Sequence, residues 1–417
     1  MSRLKILHVV RLYYPVVGGN ELLVKELSEA LSQLGEDITI FTTDVLHESQ
    51  FYGFEKKETF LPRVEIINGL TVRRYSINYK LRKFLFKLIP KICRGRRVLD
   101  WILGDLSEPL FNGPLVVQLI WEIIRFKPDI VMGSNLWGVQ ALYCLIAKKI
   151  VKFPLILLPC IHVGQEWVYN PFVCRILKSA DHILALTDLE KDFLVKQGVP
   201  KEIISVVGVG INPQKIKVCD QSLFRKKYGL SDELIVTFVG RKLPYKGIDI
   251  LVEAMKIVWG SFPGARLVLA GECLPGSSYV KDIIQSVEMV HREKIINIDN
   301  FDDAEKSQIL SACDVFAMPS SAESFGIVYL EAWLCEKPVI GCDNLAPADV
   351  ITHGEDGLLV SCGDIEGLAK AILALLRDED MRINFGKKGR EKVLRKYTWD
   401  IVARDVRSKY YDCINRP

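Results

Sequence analysis

Short runs of β-branched and other apolar residues alternate with amphipathic helical stretches along the whole chain. Such alternation is typical of parallel β-sheets whose strands are joined by crossover helices. In the first half, strands are predicted at Lys5–Val9, Ile38–Thr42, Val72–Tyr75, Asp129–Met132, Leu155–Cys160, His182–Leu186 and Ile204–Val207. In the second half, they are predicted at Leu234–Val239, Arg266–Ala270, Ile295–Ile298, Val315–Met318 and Val339–Gly341. The sequence therefore predicts an α/β fold with helices on both faces of its sheets.

The length favours more than one domain. At roughly 100–200 residues per domain, 417 residues suggest two domains, with three left open. The segment 208–229 is rich in glycine and charge, and it interrupts the alternation. We predict a first domain at 1–207, a linker region at 208–233, a second domain at 234–395 and a helix at 396–417 that crosses back onto the first domain. Ligands bind at the carboxyl ends of the strands in open α/β sheets, so two facing sheets would place a site in the cleft between them.

Composition excludes several classes of protein. A net charge of +4 gives no support for nucleic-acid binding. The 11 cysteines include no C-x-x-C pair, which indicates a reducing compartment rather than disulfides or zinc. The start of the chain resembles a first strand rather than a signal peptide, and no stretch approaches the ~20 apolar residues of a spanning helix. We therefore expect a cytoplasmic protein, with a peripheral position on the cytosolic membrane face left open.

One basic, apolar segment departs from the alternation. Residues 79–97 carry eight cations, Lys80, Arg82, Lys83, Lys87, Lys91, Arg94, Arg96 and Arg97, interleaved with Phe84, Leu85, Phe86, Leu88 and Ile89. A basic amphipathic segment of this kind can lie on an anionic membrane surface, at roughly 1 kcal/mol per cation. A solvated helix whose apolar side packs on the domain explains the same residues. The sequence leaves both interpretations open.

Two cations follow the first strand of the second half. The strand ends at Gly240, and Arg241 and Lys246 lie in the loop before Gly247. At the carboxyl end of a parallel strand, an arginine that binds bidentately and a lysine that acts as a point charge are suited to a diphosphate. A solvated loop with chance charges is the alternative for this segment alone.

A later strand is followed by two glutamates eight residues apart. In "SAESFGIVYLEAW" Glu323 precedes a helix that we expect to begin at Phe325, Gly326 and Ile327, and Glu331 lies inside it. Free amides at a helix start favour phosphate, and a glycine lets a ligand approach the backbone. Glu331 would then reach a diol beside that phosphate, such as a ribose. Alternatively, Glu331 is a surface residue and Glu323 neighbours a helix cap.

Together, these motifs resemble the donor half of the GT-B glycosyltransferases, and in particular glycosyltransferase family 4, the retaining "glycosyl transferases group 1" enzymes. Weaker matches extend over nearly the whole chain. They are "YYPVVGGNE" at 13–21, "KPDIVMGSN" at 127–135, "PLILLPCIHVG" at 154–164, "GVGIN" at 208–212 and "ADVITHGEDGLLV" at 348–360. The resemblance implies a GT-B fold, in which two Rossmann-like domains with parallel sheets face each other across a central cleft. The first domain would serve the acceptor and the second would bind the nucleotide sugar.

The resemblance also implies roles for individual residues. Arg241 and Lys246 would neutralise the leaving nucleoside diphosphate, Glu331 would hold the ribose, and Glu323 would contact the transferred sugar. The remaining donor-binding residues would be Gly18, Gly19, Gly240, Ser324, Phe325, Gly326 and Ile327. His162 would lie near the reacting sugar, although a lone histidine after an apolar strand is often structural. Glu21 would line the acceptor side.

The implied reaction is a metal-independent, retaining transfer of a hexose of the glucosyl, mannosyl or N-acetylhexosaminyl type. Its partners would be a nucleoside-diphosphate sugar and a glycan acceptor, lipid-linked or close to the membrane, with no cofactor. The one D-x-D, Asp378 to Asp380, falls between late helices and not after a strand. The chain departs from the family at "LAPAD", where Leu345 and Ala346 replace two glycines, and at "GECLPG", which lacks a second nearby glycine.

Other functions fit less well. A nicotinamide-dependent oxidoreductase requires G-x-G-x-x-G directly after the first strand, and this spacing is absent from residues 5–21. A non-catalytic sugar-nucleotide binder would keep the donor motifs but has no need of His162 or the glycine turn. A glycosyltransferase that uses a soluble acceptor remains an alternative.

Overall fold

A computed structural model of the chain describes residues 3–16, 18–52, 61–93, 113–134, 139–164, 166–274 and 276–416. The chain forms two compact units. The first comprises Met1–Gly210 with Trp399–Pro417, and the second comprises Ile211–Thr398. Each unit has its own sheet.

The first unit is built on a sheet that has eight strands among the described residues, in the order β3-β4-β2-β1-β5-β6-β7-β8. The strands are β1 Lys5–Val9, β2 Asp37–Thr43, β3 Val64–Ile67, β4 Leu70–Tyr75, β5 Ile130–Ser134, β6 Leu155–Leu158, β7 His182–Ala185 and β8 Ile204–Val206. Neighbouring strands are parallel except β3 and β4. Most strand residues are buried, as expected for a sheet that is covered on both faces.

Helices connect and cover these strands. In the first unit they are Gly19–Gln33, Tyr79–Cys93, Gln118–Phe126, Gln140–Ile150, Pro171–Lys178, Asp188–Lys196 and Trp399–Ile414. Asn170 and Thr187 cap two of these helices through their side chains, which accept hydrogen bonds from first-turn amides. The predicted strands of this unit lie within two residues of the observed ones, and the helix predicted at 396–417 is observed at Trp399–Ile414.

An antiparallel edge strand was not predicted. β3 pairs with β4 through a two-residue turn at Asn68 and Gly69, whose φ angles are 49° and 81°. Positive φ at both positions is the geometry of the hairpin turn that Asn-Gly favours. The first sheet is therefore parallel, as predicted, except at this one antiparallel edge.

The helix Trp399–Ile414 packs on the first unit. Trp399 donates its indole N–H to Glu26 Oε2 at 2.7 Å, and the Tyr410 hydroxyl lies 3.2 Å from Nε2 of the buried His8. Gly210 faces the Trp399 ring so closely that a Cβ at this position would lie 2.4 Å from the ring. The helix is therefore an integral part of the first unit.

The second unit has a parallel sheet, with six strands in the part of the chain described, in the order β11-β10-β9-β12-β13-β14. The strands are β9 Ile235–Val239, β10 Arg266–Ala270, β11 Ile295–Ile298, β12 Val315–Ala317, β13 Val339–Cys342 and β14 Gly357–Val360. The helices are Gln221–Lys227, Ile248–Ser261, Tyr279–Ser286, Met289–Arg292, Asp303–Ala312, Ile327–Leu334, Pro347–Val350, Ile365–Arg377 and Glu379–Lys396. The strand order reverses at β9 and β12, and ligands bind beside such a switch point.

The segment 208–233 is divided between the units. Residues up to Gly210 belong to the first unit and residues from Ile211 to the second. In the second unit, the amides of Lys217 and Cys219 donate to the Ser307 and Ser311 hydroxyls at 3.4 and 2.9 Å. The segment is thus packed against the helix Asp303–Ala312 from Lys217 onward.

The basic segment forms the helix Tyr79–Cys93, while residues 94–97 lie outside the described ranges. Lys80, Lys83, Phe84 and Lys87 are exposed. Arg82 differs from these residues, because it is buried and donates to the Gly113 carbonyl at 2.8 Å. Its assignment to a membrane-facing set of cations is therefore wrong. Within the residues described, no helix combines the length and the apolar character needed to cross a membrane.

Candidate active site

The loop after β9 carries the two predicted cations of the second unit. Pro244 to Lys246 form a short 3-10 turn, and Gly247 follows with φ of 72°. A Cβ at Gly247 would lie 2.2 Å from the Pro319 carbonyl oxygen, so only glycine allows this loop to pack against the chain after β12. The Ser321 amide also donates to the Tyr245 carbonyl at 2.8 Å. The loops after β9 and β12 are therefore held together by their backbones.

This arrangement joins the two sequence motifs through an ion pair. Lys246 Nζ bonds Glu323 Oε1, although the residues are 77 positions apart in the chain. Their side chains are only 13% and 10% exposed. Arg241, by contrast, is exposed to solvent at the start of the same loop. The structure thus brings Arg241, Lys246 and Glu323 to one edge of the second sheet.

The helix after Glu323 begins at Ile327, with Gly326 as its N-cap at φ 92° and ψ 59°. A Cβ at Gly326 would lie 2.5 Å from the Tyr329 ring. Tyr329 is fully buried, and its hydroxyl donates to the Met318 carbonyl at 2.9 Å. First-turn amides of a helix lack intrahelical acceptors, so this end of the helix offers N–H donors beside the cations.

Glu331 lies in the second turn of this helix and is 6% exposed, so it is not a surface residue. Lys306 Nζ bonds its Oε1 atom at 2.5 Å. The helix Asp303–Ala312 supplies Lys306, which was not predicted as a site residue. Nothing in the local sequence indicates this pairing, because the residues are 25 positions apart.

Lys242, between the two predicted cations, was also missed. Its side chain is fully buried, and its Nζ donates to Asn297 Oδ1 at 2.7 Å, to the Ile298 carbonyl at 2.9 Å and to Asp299 Oδ1 at 2.7 Å. The neighbouring lysine holds the pKa of Asp299 below its ordinary value. Lys242 therefore ties the end of β9 to the end of β11.

The glycine turn of the first unit leads into the helix Gly19–Gln33. Gly18 is the N-cap in an extended conformation, and a Cβ there would lie 2.3 Å from Glu21 Oε2. A Cβ at Gly19 would meet no atom within 4 Å. Glu21 is only 8% exposed, and its carboxylate lies against Gly18. Gly19 thus presents open backbone at the start of this helix.

Asn20 connects this turn to the segment that carries His162. Its Oδ1 accepts from Ser134 Oγ at 2.7 Å and from Cys160 Sγ at 3.5 Å. Ser134 ends β5, and Cys160 follows β6 with φ of 54°. His162 is half-buried two residues later. The structure therefore places Gly18, Gly19, Glu21 and His162 at the carboxyl edge of the first sheet.

The two sheet edges differ in their charged groups. At the second sheet, a helix start and cations are combined with carboxylates that can accept from hydroxyls. At the loop 343–349 that departs from the family pattern, Ala346 is buried and Asp349 is exposed. Among residues with described positions, no group of three or more His, Cys, Asp or Glu is arranged to hold a metal ion.

The sequence matches two family descriptions. "Glycosyl transferases group 1" matches residues 220–392, and "Glycosyltransferase Family 4" matches residues 17–215. N-acetyl-alpha-D-glucosaminyl L-malate synthase from Bacillus anthracis is 31% identical over 410 residues, which is 96% of each chain. The chain belongs to the group 1, family 4 glycosyltransferases. This relationship confirms the family resemblance of the motifs.

Two further comparisons cover nearly the whole of this glycosyltransferase. D-inositol 3-phosphate glycosyltransferase from Kribbella flavida is 25% identical over 409 residues, covering 94% of this chain and 90% of that protein. The crystal structure of HepE from Anabaena in complex with UDP and glucose aligns with a TM-score of 0.74 at 18% identity, covering 98% of this chain and all of that one. The predicted GT-B fold is therefore confirmed.

Proposed function

We propose that this glycosyltransferase transfers a hexosyl group, with retention and without a metal ion, from a nucleoside-diphosphate sugar to a glycan acceptor. The observation that carries the proposal is the Lys246–Glu323 pair, which joins two separate motifs beside a helix start. The cation would bind the diphosphate of a sugar diphosphate, and the carboxylate would accept from hydroxyls of its sugar. The crystal structure of HepE, in complex with UDP and glucose, holds a nucleoside diphosphate and a hexose.

The donor would bind along the edge of the second sheet. Arg241 and Lys246 would take the diphosphate together with the amides of Phe325, Gly326 and Ile327. Glu323, and Ser324 beside it, would accept from sugar hydroxyls, and Glu331 from the ribose. Gly240 directly follows β9 and precedes these cations.

The chemistry follows from charge development. Cleavage of the sugar–phosphate bond places positive charge on the sugar and negative charge on the departing diphosphate. Cations and helix amides that are already in place stabilise the leaving group at no further reorganisation cost. Because two cations neutralise the diphosphate, we propose that no metal ion or cofactor is needed, and chelator should leave turnover unchanged. Gly18 and Gly19 would close over the diphosphate, His162 would contact the reacting sugar, and Glu21 would line the acceptor side.

Substitution of the ion pair tests this assignment. Lys246→Ala and Glu323→Ala should each lower turnover by roughly 100-fold or more, a magnitude expected when one preorganised electrostatic group is removed. The exposed pair Lys227–Glu305, 2.8 Å apart in the same unit, supplies matched controls in Lys227→Ala and Glu305→Ala. Folded K246A or E323A protein with the turnover of these controls would refute the site. A thermal-shift screen against a panel of nucleotide sugars would identify the base and the sugar.

We further propose that the acceptor is lipid-linked or membrane-proximal and that the helix Tyr79–Cys93 rests on an anionic membrane surface at the cytosolic face. The support is its exposed stripe of Lys80, Lys83, Phe84 and Lys87, which lie at i, i+3, i+4 and i+7 on one helical face. Three cations at roughly 1 kcal/mol each would give weak, salt-sensitive binding.

Flotation with anionic liposomes tests the surface. The variant K80Q/K83Q/K87Q should float less than wild type. The control K149Q/K152Q/K196Q removes three exposed lysines elsewhere in the same unit and should float as well as wild type. Equal flotation of the two variants would contradict the membrane proposal. The alternative, a small soluble acceptor, draws support from the relatives whose names contain L-malate and D-inositol 3-phosphate. A non-catalytic binder would bind a nucleotide sugar in the thermal-shift screen but transfer nothing.

A further inference from the structure

Glu190 is a buried carboxylate at the same edge of the first sheet as His162. It lies in the first turn of the helix Asp188–Lys196, whose N-cap is Thr187. Thr187 Oγ1 accepts from the Glu190 amide at 3.1 Å. In a Thr-x-x-Glu capping box the glutamate usually reaches back to the amide of the cap residue. Here the carboxylate has different partners.

The two oxygens of Glu190 bind two strand ends. Oε1 accepts from the Ile161 amide at 2.8 Å, and Oε2 accepts from the Leu186 amide at 2.7 Å. Leu186 directly follows β7, and Ile161 directly precedes His162. Glu190 therefore connects the turn after β6 to the turn after β7.

The His162 segment is held from two sides. Cys160, with a positive φ of 54°, bonds Asn20 of the glycine turn through its thiol. The next residue, Ile161, is 1% exposed and bonds Glu190. Side chains from two different helices thus bond the two residues immediately before His162, Asn20 at the Cys160 thiol and Glu190 at the Ile161 amide.

We propose that Glu190 is a positioning residue that sets the location of His162 through the Ile161 amide. This inference rests on the proposed function only in that His162 is taken to contact the reacting sugar. A glutamate that merely capped its own helix would not need the second bond to Ile161, in the turn after β6. A carboxylate accepts at both oxygens, whereas a glutamine at the same position would turn an NH₂ group toward one of the two amides. Glu190→Gln therefore disturbs the connection while it keeps the side-chain volume.

Glu36 offers a matched control. It is fully buried in the same unit, accepts from the Leu4 amide at 2.9 Å and pairs with Arg407 Nε at 2.5 Å, but it directly precedes β2, at the amino edge of the sheet. Glu36→Gln should reduce stability without reaching His162. The chain contains six histidines, so histidine-selective NMR labelling gives few signals, and the signal missing in His162→Gln identifies His162.

We expect the His162 signal to shift in E190Q and to stay unchanged in E36Q. Turnover of E190Q should fall by roughly tenfold or more with an unchanged donor KM, since small misplacements of a reacting group are costly. E36Q should keep its turnover despite a comparable loss of melting temperature. If E190Q does not fold, Glu190→Asp, which keeps the charge on a shorter side chain, is compared in the same way.

An unmoved His162 signal in the folded variant would overturn the proposal, and so would turnover that falls equally in E190Q and E36Q. The proposed function fails separately. If His162→Gln keeps full turnover while E190Q still shifts the His162 signal, the positioning role stands and the catalytic role of His162 does not.

Discussion

Gly326→Ala should strongly destabilise the second unit. Gly326 has φ of 92°, a backbone region that costs an L-residue about 1–2 kcal/mol. The new Cβ would lie 2.5 Å from the Tyr329 ring, which is fully buried. Overpacking of this kind costs about 1–3 kcal/mol, and loss of the Tyr329–Met318 hydrogen bond adds about 1 kcal/mol. The expected total is about 4 kcal/mol.

Gly363→Ala separates the two causes. Gly363 also has a positive φ, 80°, but a Cβ there would meet no atom within 4 Å. Gly363→Ala should therefore lower the free energy of unfolding only by the backbone cost of about 1–2 kcal/mol. Urea denaturation followed by tryptophan fluorescence measures both variants, because Trp333 is buried in the same unit. If G326A loses no more stability than G363A, the steric argument at the helix start is wrong.

Three further predictions concern buried charges. Burial raises the pKa of Glu190 from 4.5 to about 7, and the Cys160 thiol and Glu21 lie nearby. As the pH rises, the unfolded chain therefore loses this proton at a lower pH than the folded protein does. The free energy of unfolding should therefore fall by roughly 2–3 kcal/mol more between pH 5 and pH 8 in wild type than in E190Q, and parallel urea-unfolding profiles would contradict this. Burial lowers the pKa of His8 from 6.5 to about 3. The unfolded chain therefore binds a proton at His8 more readily than the folded protein does, and stability is lost as the pH falls. Relative to His8→Gln, wild type should lose about 2 kcal/mol on going from pH 8 to pH 5, and an equal loss in both proteins would exclude this linkage. Lys306→Met removes a partner of the buried Glu331 and should cost about 1–3 kcal/mol in urea denaturation and weaken donor binding in calorimetric titration. Donor affinity equal to wild type would count against a ribose contact at Glu331.

Most strands and helices were predictable because parallel strands that are covered on both faces form continuous apolar runs between glycine-rich turns. The edge strand β3 escaped because Val64 and Ile66 are 61% and 75% exposed, so its apolar residues do not mark a buried face. The Asn68–Gly69 turn was the available signal, since Asn-Gly between apolar residues predicts a hairpin. The buried strands could therefore be predicted from the sequence, whereas the exposed edge strand β3 could not be predicted from its apolar pattern.

The candidate site was predictable only where a motif is local in sequence. Arg241, Lys246 and Glu323 follow strand ends, where topology gathers ligand-binding side chains. Lys242, Lys306 and Glu190 were missed because each bonds a partner 25 to 57 residues away, and charge type alone does not reveal such pairings. Arg82 was wrongly grouped with surface cations because it lies in a basic run, although its side chain is buried.

The return of the helix Trp399–Ile414 to the first unit has a consequence for biosynthesis. A ribosome begins with the first unit, yet the Trp399 and Tyr410 side chains that complete its packing emerge only after all of Ile211–Thr398 has been made. The second unit can therefore fold while the first unit still lacks the helix Trp399–Ile414. Nascent chains paused before residue 399 should expose the surface around His8 and Glu26 to chaperones.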